Sequence, residues 1–192
     1  MTPTRSDRKR QSHYPEEAMA TSTGETPRTA GVANRLAIAE VLVLHSRGLD
    51  RLDADCIADC YWPGAEVDYG AFKGPAADFA ALVVGALQGQ YQLTRHSLSN
   101  TLYTFDGDTA LTETCVSAGH LLLDGNEELH FYGRYLDCLT KRRDQWKLSH
   151  RQVVMDWCKR VPVSDERDSD AFRQLAKGAH GKDDPLYPFL NH

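Results

Sequence analysis

Two histidines and one aspartate have the residue types and the spacing for acid–base chemistry. His96 alternates with Leu98 along a predicted strand and His120 alternates with Ala118, so both imidazoles are expected on apolar, inward-looking faces. Asp50 lies just beyond the first predicted helix, at the mouth of the same layer. A carboxylate beside an imidazole fixes its tautomer and raises its basicity, and the imidazole then moves protons near neutral pH. The three residues therefore predict a general acid–base site.

The same residues have structural interpretations, which the sequence leaves open. A histidine on a strand is commonly a hydrogen-bonded structural residue, because polar networks that only support the fold also use this side chain. Asp50 could equally cap the helix that follows it. Arg134 and Trp62 are candidate substrate-binding residues. The side of the sheet on which Arg134 lies depends on register, which a shift of one residue would reverse, and aromatic residues such as Trp62 more often belong to the core.

The sequence supplies no motif for a metal, a nucleotide or a covalent intermediate. It contains no G-x-S-x-G, phosphate-binding loop or dinucleotide-binding glycine pattern. The five cysteines form no C-x-x-C pair, and no H-x-x-x-H pattern supplies further ligands. Their odd number, together with an N-terminus without an apolar signal segment, predicts reduced thiols in the cytoplasm. We therefore expect neither a metal ion nor a cofactor.

Composition and charge limit the classes of partner. The chain has 192 residues, of which 41% are hydrophobic and 26% charged, and this suits one domain with a sizeable core. The net charge of −5 argues against a general nucleic-acid binder, which would show a basic face. No apolar run reaches the roughly 18 residues needed to cross a membrane. The expected partner is a hydrophobic small molecule, with no nucleic acid and no membrane.

The elements that must position these residues follow from hydrophobic spacing. Helical spacing predicts a first helix over 33–48. A second helix is expected from Asp53, a good N-cap, to Trp62, because Pro63-Gly64 would end it there. A short strand over 65–70 precedes a third helix that starts near 75 and ends near 89. Strands then follow around 96–103, 109–122, 128–140 and 146–156, with short turns between them, so antiparallel pairing is expected. One short helix is expected over 169–177.

This order predicts an α+β fold in which one curved antiparallel sheet carries its helices on one face. The space enclosed between sheet and helices is the natural pocket. We divide the chain into a disordered N-terminal tail over 1–31, a domain over 32–160 and a C-terminal extension over 161–192. The tail is predicted from its polar composition, and Met19 is a plausible alternative start within it.

The stretch from Asn34 to Trp157 resembles the SnoaL-like branch of the NTF2-like superfamily, a cone-shaped barrel. It is most similar to the dehydratase-type members, which include scytalone dehydratase, bile-acid 7α-dehydratase and hexachlorocyclohexane dehydrochlorinase. The resemblance rests on the order and spacing of seven short segments, namely GLDR at 48–51, AEVDY at 65–69, TRHSLSN at 94–100, GRY at 133–135, RRD at 142–144, DW at 156–157 and DPLY at 184–187.

The resemblance implies an Asp–His pair inside the cone, for which Asp50 and His96 match. It implies that His120 is a second histidine of the site and that Tyr69 binds a substrate oxygen through water. His45 stands where the bile-acid enzyme's pattern has a tyrosine, which makes it a candidate substrate-binding residue. The Ser/Asn pair of the scytalone enzyme's pattern is not evident in this sequence.

We therefore expect a cofactor-free lyase, a dehydratase or dehydrohalogenase that acts on a hydrophobic cyclic or polyketide-like compound. Two alternatives stay open. One is an isomerase or cyclase on the same scaffold, and the other is a non-catalytic ligand-binding protein or small subunit of a larger enzyme. The resemblance also implies a homo-oligomer, with a trimer favoured over a dimer, sheet faces packed together and the C-terminal extension reaching across a neighbour.

Overall fold

The structure is a computed structural model that describes residues 28–191, with side chains from residue 31 onward. The prediction of a disordered tail falls almost entirely on residues outside this range. The helices are α1 (Arg28–Arg51), α2 (Ala54–Asp59), α3 (Ala76–Gln88) and α4 (Leu186–Leu190). The strands are β1 (Tyr61–Asp68), β2 (Lys73–Pro75), β3 (Tyr91–Asp106), β4 (Thr109–Leu122), β5 (Glu127–Arg142) and β6 (Gln145–Pro162).

The six strands form one curved, open sheet in the order β2-β1-β6-β5-β4-β3. Strands β3 to β6 are an antiparallel meander, as predicted, because short turns connect them. Strand β1 instead pairs parallel with β6, so the sheet is mixed rather than purely antiparallel. No hairpin joins these two strands, since β2, α3 and strands β3 to β5 lie between them in the chain, so their relative direction is set by tertiary packing alone.

The second helix is shorter than the sequence predicts. Asp53 is its N-cap as expected, and its carboxylate accepts the backbone N–H of Cys56 at 2.9 Å. The helix ends at Asp59, and Trp62 already belongs to β1. Pro63-Gly64 lies inside that strand, where the pairing with β6 changes register, so these residues mark an irregularity of β1 rather than the end of the helix.

A β-bulge in β3 divides the strand into two halves with opposite alternation. The pairing with β4 shifts between Ser99 and Thr101, and Asn100 adopts a φ of 37°. Before the bulge the inward side chains include His96. After it Leu102 is 70% exposed, and Tyr103 packs against the core. Simple alternation along the strand would place Leu102 on the inner face with His96. The extra residue at the bulge exchanges the two faces, so Leu102 lies on the outer face instead.

The hydrophobic core lies between the helices and the inner face of the sheet. It combines Ile38 and Leu42 of α1 with Phe79 of α3, and the sheet contributes Leu139 and Leu148. All five side chains are at most 2% exposed. Their burial fixes α1 and α3 against the sheet, and this arrangement sets the position of the α1 C-terminus.

The predicted helix over 169–177 is absent, and this segment forms successive turns instead. Phe172 and Leu175, the apolar residues of the segment, are 45% and 63% exposed. Because they contact no core, the segment lacks the apolar burial that stabilises most short helices in proteins.

Candidate active site

Asp50 and His96 form a hydrogen-bonded pair that is largely shielded from solvent. Oδ1 of Asp50 lies 2.7 Å from Nδ1 of His96. The backbone N–H of His96 donates to both carboxylate oxygens at 3.0 Å. Because a carboxylate accepts hydrogen bonds, the His96 proton lies on Nδ1, and Nε2 makes no hydrogen bond to any described residue. In its neutral form the imidazole thus presents Nε2 with a free lone pair.

The end of α1 places Asp50 at this position. Gly48, one turn from the end of the helix, lies against α2, where an added Cβ would be 2.7 Å from Cγ1 of Ile57. Its carbonyl accepts the backbone N–H of Asp53 at 2.8 Å, and Leu52 adopts a φ of 54° just after the helix. The close approach of the two helices therefore fixes the turn that carries the carboxylate.

His96 faces a cavity of about 180 Å³ between the sheet and the helices. The wall is mostly aliphatic and aromatic, and the only groups able to form hydrogen bonds come from two histidines and two tyrosines. The lining residues are Leu49, Tyr69, Val83, Leu87, His96, Ala118, His120, Phe131, Tyr135 and Val153. Three of the four residues predicted to be catalytic, His96, His120 and Tyr69, thus line one cavity, and Asp50 lies behind His96.

His120 is a neutral neighbour of His96. Its Nδ1 lies 2.6 Å from the hydroxyl of Thr94, and its ring is stacked on Tyr91 with centroids 4.6 Å apart. The His96 and His120 rings meet edge to face at 5.5 Å. Burial is the main cause that lowers the pKa of His120 to about 4, and a proton on His96 or His130 opposes its protonation further. At neutral pH His120 therefore adds a polar group to the site without adding a positive charge.

The hydroxyl of Tyr69 is buried and has no hydrogen-bond partner among the described residues. Its ring is stacked on Phe79 with centroids 4.1 Å apart. Burial raises the pKa of Tyr69, and the nearby charge of Arg151 partly opposes this effect. The hydroxyl of this cavity-lining residue thus stays protonated at neutral pH. Because buried polar groups in proteins are usually satisfied, it can be satisfied by an oxygen of a bound ligand.

A buried ion pair, which the sequence analysis did not single out, lies beneath the cavity. Nε and Nη2 of Arg151 donate to the two carboxylate oxygens of Asp137 at 2.7 and 2.8 Å, and both side chains are fully buried. The guanidinium also lies over the ring of Tyr135, 4.1 Å from its centroid. The two residues are directly paired in the β5–β6 register. Asp137 follows the GRY segment that contributes to the family resemblance, but only this register reveals that Arg151 is its partner.

A sequence profile of the SnoaL-like domain matches residues 30–152. The chain belongs to the SnoaL-like family. Among curated relatives, the uncharacterized protein Rv2910c of Mycobacterium tuberculosis strain H37Rv is 25% identical over 125 residues, which cover 64% of this chain and 85% of the relative. A protein of Mycobacterium bovis, Mb2934c, matches with the same values.

Solved structures share the SnoaL-like fold at low sequence identity. A candidate scytalone dehydratase from Novosphingobium aromaticivorans has a TM-score of 0.64 and 19% identity, and the match covers 81% of this chain and 97% of that one. A LinA-type3 hexachlorocyclohexane dehydrochlorinase from Novosphingobium barchaimii has a TM-score of 0.60 and 23% identity, over 71% and 94% of the two chains. These similarities confirm the expected α+β, NTF2-like architecture.

In this SnoaL-like chain His45 is close to the site but does not line the cavity. Its side chain is fully buried. Nδ1 lies 3.0 Å from Nη1 of Arg151, and Nε2 lies 2.9 Å from the hydroxyl of Tyr61. Both ring nitrogens are therefore occupied by the protein, and a substrate-binding role by direct contact does not fit this geometry.

Trp62 and Arg134 also lie away from the cavity. The indole N–H of Trp62 donates to the carbonyl of Thr140 at 2.8 Å. Arg134 forms ion pairs with Glu113 and Asp156, both at 3.0 Å, on the face of β5 opposite the cavity-lining Tyr135. The register of β5 therefore directs Arg134 outward, and neither residue is positioned to bind a ligand in the cavity.

The C-terminal segment packs beside the Asp50–His96 pair in a cleft of about 430 Å³ that includes Gly178. Asp184 accepts the backbone N–H groups of Ala179 and Leu186 and lies 3.5 Å from Arg51, the residue after Asp50. The segment is thus fixed to its own α1 C-terminus, and its expected contact with a neighbouring subunit stays a prediction.

Within residues 31–191, no three His, Cys, Asp or Glu side chains lie close enough together to hold a metal ion. None of the helices in the described part of the chain is both long and apolar enough to span a membrane.

Proposed function

We propose that the protein is a cofactor-free lyase that eliminates water or hydrogen halide from a small hydrophobic ring compound. The observation that carries the proposal is the free Nε2 of His96, held toward an apolar cavity by Asp50. A general base needs a free lone pair within reach of the substrate proton, and it needs a pre-set orientation. The family's dehydratase and dehydrochlorinase structural neighbours support the same choice.

In the proposed reaction His96 Nε2 removes a proton from a carbon next to an activating group. The electron pair of that C–H bond forms the new double bond, and the pair of the carbon–oxygen or carbon–halogen bond departs with the leaving group. The negatively charged carboxylate of Asp50 stabilises the resulting imidazolium, because it accepts the hydrogen bond from Nδ1 of His96. Departing hydroxide takes up a proton to leave as water, and His96 can return the proton that it removed.

Tyr69 has the position and protonation state to assist this step. Its side chain lines the cavity, and we propose that its buried hydroxyl, which has no partner among the described residues, donates a hydrogen bond to an oxygen of the substrate, on which negative charge develops. His120 lies between Thr94 and His96 as a neutral polar group. We propose that it assists departure of the leaving group through a hydrogen bond.

The cavity restricts the size and charge of the reacting part of the substrate. A volume of about 180 Å³ is below the roughly 300–1,000 Å³ of pockets for drug-sized ligands. A single ring therefore fits better than a fused multi-ring compound. No cationic side chain lines the cavity, and burying an unpaired charge there is costly. We therefore propose an uncharged reacting group.

The test incubates the protein with neutral six-membered-ring β-hydroxyketones and halogenated rings and measures product mass. A mass loss of water or hydrogen halide is expected. His96→Ala should reduce the rate by about 10²–10⁴-fold, because it removes the general base. Asp50→Asn should also reduce the rate, because the charge facing the imidazolium is lost.

His130→Ala is the matched control, since this histidine pairs with Glu128 at 3.1 Å and does not line the cavity. It should retain the wild-type rate. Turnover by His96→Ala at the wild-type rate would exclude the proposed mechanism. A product of unchanged mass would instead favour an isomerase, which the hydroxyl of Tyr69 could equally serve by stabilising an enolate.

A further inference from the structure

The hydroxyl of Thr94 is the one hydrogen-bond partner of the His120 ring in the described part of the chain. Thr94 and His120 are directly paired in the β3–β4 register. The two residues are only 4% and 8% exposed, and Oγ1 of Thr94 lies 2.6 Å from Nδ1 of His120. The two strands therefore hold the hydroxyl against one ring nitrogen and leave the other, Nε2, unoccupied by the protein.

The direction of this hydrogen bond follows from what each group can donate. A threonine hydroxyl carries one hydrogen and can also accept, whereas a neutral imidazole has one N–H and one bare nitrogen. If Nδ1 of His120 donated, the hydrogen of the Thr94 hydroxyl would have no acceptor within residues 31–191, because His120 is its only partner there. A buried donor without an acceptor is costly. The hydroxyl of Thr94 therefore donates, and Nδ1 of His120 carries no proton.

The proton of a neutral His120 then lies on Nε2, which is left for a ligand. His120 lines the cavity, and its Nε2 forms no hydrogen bond with any described residue. Unlike the hydroxyl of Tyr69, this nitrogen is not among the fully buried atoms that lack a partner, so it remains accessible. The stack on Tyr91, with centroids 4.6 Å apart, holds the plane of the ring. His120 thus presents an N–H donor in a fixed orientation.

His96 and His120 then offer opposite hydrogen-bonding groups to the same cavity. Asp50 accepts the Nδ1 proton of His96 and leaves its Nε2 with a lone pair. Thr94 donates to Nδ1 of His120 and leaves its Nε2 with a proton. The two rings meet edge to face at 5.5 Å. An elimination needs both groups, because the base must accept a proton and the leaving group must receive a hydrogen bond.

We propose that Thr94 is a positioning residue: its hydroxyl holds His120 as the neutral Nε2–H tautomer and so makes the free nitrogen of that ring a hydrogen-bond donor for the leaving group. Thr94 does not line the cavity and acts only through His120. The tautomer follows from the contacts of this chain alone, whereas its use by a leaving group rests on the proposed function.

The groups that face His120 leave it neutral. Burial is the main cause that lowers its pKa to about 4, and a proton on His96 or His130 opposes its protonation further. Tyr91, stacked on the ring, is uncharged at neutral pH, because burial raises its pKa. Within residues 31–191 no carboxylate forms a hydrogen bond with His120. The ring therefore has a single proton, whose place the Thr94 hydroxyl decides.

The first test is nitrogen-15 NMR of the full chain labelled at histidine, from pH 5.5 to 8.5. The signals of His120 are those lost in His120→Gln. We expect a protonated Nε2 and a bare Nδ1 that accepts a hydrogen bond, with no titration in this range. In Thr94→Val the Nδ1 signal should move toward that of a nitrogen without a hydrogen bond. A proton on Nδ1 in wild type, or an imidazolium at pH 7, would overturn the proposal.

The second test compares elimination from β-hydroxycyclohexanone and β-chlorocyclohexanone, which share the acidic C–H and differ in the leaving group. Hydroxide is a strong base and needs a hydrogen bond to depart, whereas chloride is a weak base and needs it less. Thr94→Val keeps the shape of the side chain and removes the donor. The ratio of the two kcat/KM values, hydroxyketone over chloroketone, should therefore fall about twofold to tenfold, the value of one hydrogen bond.

Two control variants separate positioning from packing. Thr94→Ser keeps the hydroxyl and should keep the wild-type ratio. Thr114→Val is the matched control, since Thr114 is fully buried in β4, does not line the cavity and has a hydroxyl without a partner among the described residues. It should also keep the ratio. Equal losses with both ketones in Thr94→Val would show an effect of packing alone and contradict the proposal.

The double variant tests whether Thr94 acts through His120. His120→Ala already lacks the donor, so adding Thr94→Val should not lower the ratio of the two kcat/KM values further. A further decrease would refute the positioning role. If wild type eliminates from neither ketone, the proposed function fails, while the NMR measurement still decides the tautomer that Thr94 imposes.

Discussion

At the scale of single residues, burial divides the three interior histidines into different roles. His96 retains a free ring nitrogen, His45 has both nitrogens bonded to the protein, and His120 has one bonded to Thr94. Burial is the main cause that lowers the pKa of both His45 and His120. The base is thus distinguished by its hydrogen-bonding pattern and not by residue type.

This division predicts the dependence of stability on pH. The pKa of His120 is about 4 in the folded chain and roughly 6.5 in an unfolded one. The unfolded state therefore binds more protons between these values, so the free energy of unfolding should fall as pH decreases from about 6.5 to about 4. His45 should add to the same trend. Chemical denaturation across this range measures it, and His120→Gln should show a shallower pH dependence. An equal slope in that variant would refute the assignment.

At the scale of elements, the contact between α1 and α2 controls the site. Asp50 occupies the last turn of α1, and Gly48 permits α2 to approach that turn. A methyl group at Gly48 would meet the side chain of Ile57 at 2.7 Å and its backbone nitrogen at 3.1 Å. The backbone can relieve such a clash only by moving the helix end that carries the carboxylate.

Gly48→Ala should therefore destabilise the protein by about 1–3 kcal/mol, the usual range for overpacking, and it should also reduce activity. Gly85→Ala in α3 is the matched control, because nothing lies within 4 Å of an added Cβ there. Alanine is the better helix former by about 0.5–1 kcal/mol, so this variant should be slightly more stable than wild type. Thermal melting compares the two, and a neutral Gly48→Ala would show that the helix contact is not tight.

At the scale of the whole molecule, the outer face of the sheet is the surface available for assembly. Leu102, Leu111 and Trp157 are 70%, 50% and 58% exposed there, beside the charges of Glu113 and Arg134. Scattered apolar residues are ordinary on a surface, but three on one sheet face, together with the family resemblance, support the predicted homotrimer.

Sedimentation equilibrium should therefore give about three times the mass of one 21.5 kDa chain. Trp157→Asp should lower the mass toward that of a monomer, because a charge would be buried in the interface. Leu82→Asp is the control, since Leu82 is 51% exposed in α3, away from the outer sheet face and from the C-terminal extension. A monomeric wild type would refute the prediction, and a dimer would correct its number.

The sequence by itself determined the α+β class and the order of the first three helices and of β1 and β3 to β6, and it singled out Asp50 and His96; it missed β2 and α4 and wrongly predicted a helix over 169–177. Local signals carry this information, because hydrophobic period, turn residues and caps act over a few neighbouring positions. Residues 109–122 show this most clearly, since the predicted strand has the same bounds as β4. The family resemblance added the pairing of Asp50 with His96, which lie 46 positions apart in the chain.

Only the tertiary structure decided which side chains share the cavity. The bulge at Asn100 exchanges the faces of β3, and the β5 register turns Arg134 outward. The parallel pairing of β1 with β6 and the ion pair of Arg151 with Asp137 join residues that no local pattern connects. Register and burial depend on the packing of the whole sheet, so no short segment of the sequence determines them.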